Sequence, residues 1–321
     1  MPARSHRAIV TVMLNQDEPA DRTRRAARAA MSAAHDLGVR ARTATVLHDV
    51  FSVVVHLEPE PVVARIPVVS TGDSSPQRQA DRQQREIDVA AWLHRRGVSV
   101  IPPSPRLPRR PVRRDGFSMT FWELADLAPD HEPYRGVDAF WSAELHARLA
   151  DYPGALPFLA PFNHGLPDMM ARLDTVSLLT TDDVARAHAE FASLRAILAD
   201  RATFERMFPG VTTQPIQGDC PSHNVIRTMN GICFSDFEDV CEGPVEWDLA
   251  SMGPQTTADY NRAALARGRR QTDPAVQHLM DAARRLQFIG ALTLIPRLPV
   301  LADGLAEALD EWRASPQVGR P

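Results

Sequence analysis

The chain has 321 residues, 44% of them hydrophobic and 24% charged, with a formal net charge of -4 and a pI near 6.3. Disorder would need lower hydrophobicity or higher net charge, and a nucleic-acid binder would more often be basic, so both classes are set aside for a globular chain long enough to form two lobes sharing a cleft. All 36 basic residues are arginines, so any task commonly given to lysine falls here to arginine.

Residues 1–23 are polar and mixed, and no element is predicted there. Residues 24–37, rich in alanine and arginine, are predicted as a helix ending at Gly38. The β-branched content of 43–57, which includes Phe51-Ser52-Val53-Val54-Val55-His56-Leu57, predicts strand. A turn at Glu58-Pro59-Glu60-Pro61 leads to a second strand at 62–66, giving an antiparallel hairpin. After a polar loop at 70–79, a helix is predicted over 80–96, with Ile87, Ala90, Ala91 and Leu93 on one side and Gly97 as its stop. Residues 101–114 are too rich in proline and arginine to be regular throughout, and 117–124 is another strand.

Beyond that point the pattern is mainly helical, at 137–151, 182–200, 256–268, 274–292 and 300–314. Two stretches of short apolar runs, 215–226 and 232–234, bracket polar clusters between the second and third of these helices. Proline and aspartate content rises after Leu124. The chain therefore divides into a small strand-rich part, 1–125, and a larger helical part, 126–321.

The three cysteines, Cys220, Cys233 and Cys241, are too few and odd in number for a disulfide framework. Cys220 and His223 are close, yet the other spacings fit no paired zinc pattern. The N-terminus has no apolar stretch of signal-peptide length, and the apolar stretch at 289–301 is broken by Pro296 and Pro299. The expectation is a cytoplasmic protein with no membrane and no nucleic-acid partner. Nothing in the sequence indicates an oligomeric state.

The chemistry is concentrated in Gln217-Gly218-Asp219-Cys220-Pro221-Ser222-His223-Asn224, followed by Ser235-Asp236-Phe237-Glu238. Phosphoryl transfer needs a carboxylate to orient a hydroxyl and accept its proton. It also needs oxygen donors for the Mg²⁺ that accompanies the triphosphate. Asp219, four residues, Asn224 and then Asp236 supply a base and two metal ligands in that chain order. As isolated residues, Asp and Asn are common turn formers; three at this spacing argue for a site.

These residues, with Pro244-Val245-Glu246-Trp247-Asp248-Leu249-Ala250 behind them, resemble the aminoglycoside phosphotransferase and choline kinase-like family. The resemblance implies an α+β, two-lobed protein-kinase-like fold: a small N-terminal lobe with an antiparallel sheet and helix, and a larger, mainly helical C-terminal lobe. It implies transfer of a γ-phosphate from ATP or GTP, with Mg²⁺, to a small molecule. By it, Asp219 is the catalytic aspartate, Asn224 and Asp236 are the metal ligands, and Asp248 braces the catalytic loop. Gln217 stands where the family usually has histidine; glutamine also donates and accepts hydrogen bonds, so structural substitution is expected.

Val63-Ala64-Arg65-Ile66 sits where kinases carry their strand lysine. Arg65 is therefore expected to hold the α- and β-phosphates, with Glu86 as the ion-pair partner that aims it; an exposed arginine and a solvated glutamate are the bland alternative. No glycine-rich phosphate loop is present. Ser52 is read either as a phosphate contact or as a plain hairpin residue. Backbone groups from Trp122 through Glu123 to Ala125 are expected at a purine-binding hinge.

Two functions compete at this stage. One is a small-molecule kinase acting on a hydroxyl or amine, an aminoglycoside antibiotic being one such acceptor. The other is a catalytically weak or inactive kinase-like nucleotide-binding protein, favoured by Gln217, Arg65 and the absent loop. A cationic acceptor would call for carboxylates, and Asp126, Asp130, Glu132, Glu238, Asp239 and Glu242 are the candidates, with an acidic surface loop as the alternative.

Overall fold

The computed structural model describes residues 17–70 and 75–317. Helix α1 (Asp17–Asp36) comes first, then strands β1 (Thr43–Asp49), β2 (Ser52–Glu58) and β3 (Val62–Pro67), helix α2 (Pro76–Arg95), and strands β4 (Val112–Arg114) and β5 (Phe117–Glu123). The five strands form one antiparallel sheet in the order β1-β2-β3-β5-β4. The predicted strand over 43–57 is in fact two, β1 and β2, separated by a bend at Val50 and Phe51.

Both faces of the sheet are covered. Ala26, Ala29, Ala30, Ala33 and Ala34 recur at helical spacing on α1 and are fully buried or nearly so. Side chains this small let α1 lie close against Val53, Val55, Leu57, Ala64, Met119 and Phe121. The opposite face, through Val63 and Trp122, packs against Ile87, Ala90 and Leu93 of α2. The α2 helix begins four residues before the predicted start because Pro76 opens its first turn and the Ser75 side chain caps the Arg78 amide.

The larger lobe contains α3 (Phe140–Leu149), a π-helical turn (Pro161–Gly165) leading into α4 (Leu166–Met170), α5 (Thr181–Leu198), α6 (Arg201–Met207), α7 (Gly253–Leu265), α8 (Pro274–Ala291) and α9 (Ala302–Ala314). Two short strand pairs lie among them: β6 (Gln214–Ile216) with β9 (Cys241–Gly243), and β7 (Val225–Thr228) with β8 (Gly231–Phe234). The core is built on Phe162, Phe204, Trp247 and Trp312, all essentially inaccessible. The predicted 182–200 helix ends early because Asp200 caps a new helix, α6, through the Thr203 amide.

The chain between β5 and α3 also runs beside β7. The Ala128 amide donates to the Arg227 carbonyl at 2.9 Å, and the Met229 amide to Asp126 at 3.0 Å. The exit from the small sheet is thereby tied to the hairpin that follows Asn224. Among the described residues no helix is long and apolar enough to cross a membrane.

Candidate active site

The loop 217–224 is held from behind by the 3₁₀ turn Val245–Trp247 and by Asp248, which follows it. The fully buried Asp248 accepts the backbone amides of Gln217 and Gly218, each at 2.9 Å, and the ring of His146 from α3 at 2.9 Å. Burial raises the Asp248 pKa, against the pull of His146 and the amide donors. The Trp247 indole donates to the Gly218 carbonyl at 2.7 Å. Gln217 donates from its amide to the carbonyls of Ser235 and Asp236, at 2.9 and 3.1 Å. It thereby ties the first loop to the second, and its Oε1 has no hydrogen-bond partner among the described residues.

Gly218 has φ +89, and a Cβ there would sit 2.0 Å from the Asp239 carbonyl oxygen. Both the left-handed backbone and the close approach demand glycine. Gly218→Ala should lower stability by roughly 2–5 kcal/mol; a urea midpoint equal to that of the wild type would show that neither constraint matters.

Asp219 is half-exposed. Asn224 donates through Nδ2 to Asp219 Oδ2 at 3.0 Å and to the Cys220 carbonyl at 3.3 Å. Its side-chain Oδ1 accepts from no donor among the described residues. The β7–β8 hairpin then turns the chain back, and the Ser235 amide donates to the Asn224 backbone carbonyl at 3.0 Å. Asp236, the next residue, has φ +57, an uncommon conformation for a side chain other than glycine. Asp219, Asn224 and Asp236 are thus brought together at one end of the hairpin.

Arg65 reaches this point from β3. Its Nη1 donates to both carboxylate oxygens of Glu86 at 2.9 Å, while Nη2 contacts Asp236 at 3.0 Å and Glu238 at 2.8 Å. The Arg65–Glu86 pair expected from sequence is present; the solvated alternative is not. One expectation changes, because three carboxylates engage the guanidinium that was to face phosphates. Arg82 of α2 contacts Asp239 at 2.7 Å and Glu238 at 3.4 Å. Burial presses Glu86 up while Arg65 opposes it. Burial acts on Glu238 too, but Arg65 and Arg82 hold it below the usual range.

The remaining expectations meet mixed geometry. Ser52 opens β2, is buried, and its hydroxyl has no partner among the described residues. Val50 and Phe51, in place of a glycine-rich loop, pack against the core cluster that continues into the larger lobe. Above the cleft, His48 Nε2 and the Tyr134 hydroxyl lie 3.2 Å apart. Trp122 is buried, with its indole donating to Thr120. The Glu123 and Leu124 amides donate to the carbonyls of Pro102 and Pro61, at 3.0 and 3.2 Å, so both are already occupied; Ala125 follows them.

Five of the six carboxylates considered for a cationic acceptor already face arginines: Asp130, Glu132, Glu238, Asp239 and Glu242. They do not form a free anionic cluster. All three thiols are unbridged, and burial pushes that of Cys220 up to about 12. No group of three or more His, Cys, Asp or Glu side chains that could hold a metal ion occurs among the described residues.

Sequence reasoning missed His146, Glu238 as a partner of Arg65, and Arg284. The last had a signal. Arg284 lies eight residues after Val276 and four after Met280, on the buried stripe of α8, where an arginine is out of place.

Residues 45–282 match the sequence model of the phosphotransferase enzyme family. No curated protein is significantly similar in sequence. Among solved structures, the GDP and kanamycin complex of APH(2")-IIia superposes with a TM-score of 0.57 at 16% identity, covering 90% of this chain and 97% of that one. A microcompartment-associated aminopropanol kinase gives a TM-score of 0.58 at 15% identity, covering 88% and 92%. A choline/ethanolamine kinase family protein from Mesorhizobium loti gives 0.53 at 16%, covering 90% and 92%. The similarity extends over both lobes, so the fold is that of the protein-kinase-like small-molecule kinases, and the chain belongs to the phosphotransferase enzyme family.

Proposed function

We propose that the chain is a Mg²⁺-dependent kinase that transfers the γ-phosphate of ATP or GTP to a hydroxyl or amine of a small molecule. Asp219 accepts the acceptor's proton. Asn224 and Asp236 would hold Mg²⁺, Glu86 anchors Arg65 beside them, and Gln217 and Asp248 brace the loop. Residues 1–125 then bind the nucleotide and 126–321 carry catalysis and the acceptor. The observation that carries this reading is the convergence of Asp219, Asn224 and Asp236, linked by the Asn224 amide and the Ser235 amide. A binding protein without chemistry has no need of all three.

The donor set fits the metal. Mg²⁺ is commonly held by one or two carboxylates together with water and substrate phosphates, not by a full protein cage. When bound it would neutralise charge on the β- and γ-phosphates.

Burial first, and then Glu238 and Asp219, push the Asp236 carboxyl up to about 6 against the pull of Arg65. A proton on Asp236 competes with the metal, so Mg²⁺-dependent nucleotide affinity should be full well above this value. It should fall by up to about tenfold per pH unit below it. Calorimetric Mg²⁺ titrations that are the same at about pH 8 and pH 5 would remove Asp236 from the metal site.

A cavity of about 430 Å³ lies against the loop at His223, lined also by Arg135, Asp138, Met252, Thr256 and Asp259. Its charges are mixed, and Asp259 already accepts from Gln255 and Arg262, so charge alone does not select a polycation. A phosphate-transfer screen over aminoglycosides, amino alcohols and sugars, with Asp219→Asn as the blank, tests the function. Transfer to none of them, with no nucleotide turnover, would refute it.

A further inference from the structure

Arg284 projects from α8 into the large-lobe core and is only 4% exposed. Its Nη1 lies 2.9 Å from Gln287 Oε1 and 3.5 Å from Asp219 Oδ1. Its Nη2 donates to the Trp247 carbonyl at 3.3 Å, and the guanidinium stacks 4.5 Å from the centroid of the Trp247 ring. Nε is buried with no partner among the described residues. The nearest carboxylate to this buried cation is therefore a half-exposed one in the candidate active site.

A structural arginine in the same lobe looks different. Arg270 grips the fully buried Glu246 with both terminal nitrogens, at 2.6 and 2.8 Å, and Glu246 also accepts the Asp273 amide. That pair is satisfied internally and faces no cleft residue. Arg284 instead has an incomplete set of bonds, with Nε unpaired among the described residues and Nη1 directed at Asp219, while the buried Asp248 carboxylate lies near enough to feel its charge.

We propose that Arg284 is a positioning residue for phosphoryl transfer, holding the Asp219 carboxylate in its reactive orientation. The proposal rests on Asp219 being the base. Asn224 takes one carboxylate oxygen, at 3.0 Å, and Arg284 approaches the other. Rotation of the carboxylate is restrained from both sides, while its exposed edge stays open to an acceptor. The Trp247 indole bond to the Gly218 carbonyl links the residue that Arg284 stacks on to the same loop. Small misplacements of a reacting group are worth about a hundredfold in rate, so a restraint of this kind acts on kcat more than on nucleotide binding.

The test is steady-state phosphate release from MgATP and from MgGTP, with water as the acceptor. Arg284→Met, which keeps an unbranched apolar stem and loses the charge, should lower kcat by about tenfold to a hundredfold. It should leave the nucleotide KM within about twofold. Arg284→Lys should recover part of the rate. In an Asp219→Asn background, Arg284→Met should cause no further loss, because the two side chains act as one unit. If Arg284→Met does not fold, Gln287→Leu, which removes the other partner of Nη1, takes its place with a smaller loss that also vanishes in the Asp219→Asn background. Wild-type kcat in the folded variants, or losses that multiply with that of Asp219→Asn, would overturn the role of Arg284 and leave the base standing. Wild-type turnover by Asp219→Asn would instead overturn the base, and no turnover by the wild type would overturn the proposed function.

Discussion

Asp219→Asn should fold and bind nucleotide like the wild type while transferring phosphate about 10²-fold or more slowly. The carboxylate is half-exposed, its hydrogen bond from Arg284 is long at 3.5 Å, and Asp248 also faces the Arg284 charge. An asparagine keeps an oxygen for the bond from Asn224, so the loop has no reason to move. What it would lose, with Asp219 as the proposed base, is the ability to take a proton from the acceptor in the transition state. A structural role predicts the reverse pattern, a lowered melting temperature with transfer reduced only in proportion. Transfer kinetics read beside thermal melts separate the two, and unchanged turnover would strip Asp219 of the role.

The part of the site that was legible in the sequence is the part built from short-range spacing. Asp219, Asn224 and Asp236 are separated by a tight loop and one hairpin, so their order along the chain nearly dictates their neighbourhood. The Arg65–Glu86 pair was legible for a similar reason, since one strand and one helix connect them. The contact of Arg65 with Asp236, 171 residues away, depends on how the two lobes close, which no local pattern encodes. The apolar turn at Val50 and Phe51 shows the same limit. Its lack of glycine was visible, but its packing against the large-lobe core depends on residues over a hundred positions later. Element types in the longer helices followed the periodicity, and short pieces did not: the π turn with α4, and α6, contain too few residues to show a period.

Arg65→Ala should cost about 3–5 kcal/mol of stability, the scale for breaking a buried pair by removing one partner. This is a different outcome from that of an arginine poised only for phosphate, whose loss would leave the unliganded fold untouched. Glu86 is the residue most affected. Its carboxylate is 4% exposed and both oxygens rest on Arg65, so deletion leaves a buried carboxyl without its main partner. Asp236 and Glu238 lose the same partner but are more open. Arg65→Ala with Glu86→Gln should therefore be more stable than Arg65→Ala alone by about 1 kcal/mol or more, a coupling of the size seen between direct contacts. Arg65→Lys should recover only part of the loss, since an ammonium cannot span Glu86 on one side and Asp236 with Glu238 on the other. Mg²⁺ adds a second readout. If the metal sits at Asp236, it supplies the missing positive charge, so millimolar Mg²⁺ should raise the melting temperature of Arg65→Ala more than that of the wild type. That gain should disappear when Asp236→Asn is added. A urea unfolding free energy within about 0.5 kcal/mol of the wild type for Arg65→Ala, the usual range for surface changes, would mean that the cluster around Arg65 holds nothing together.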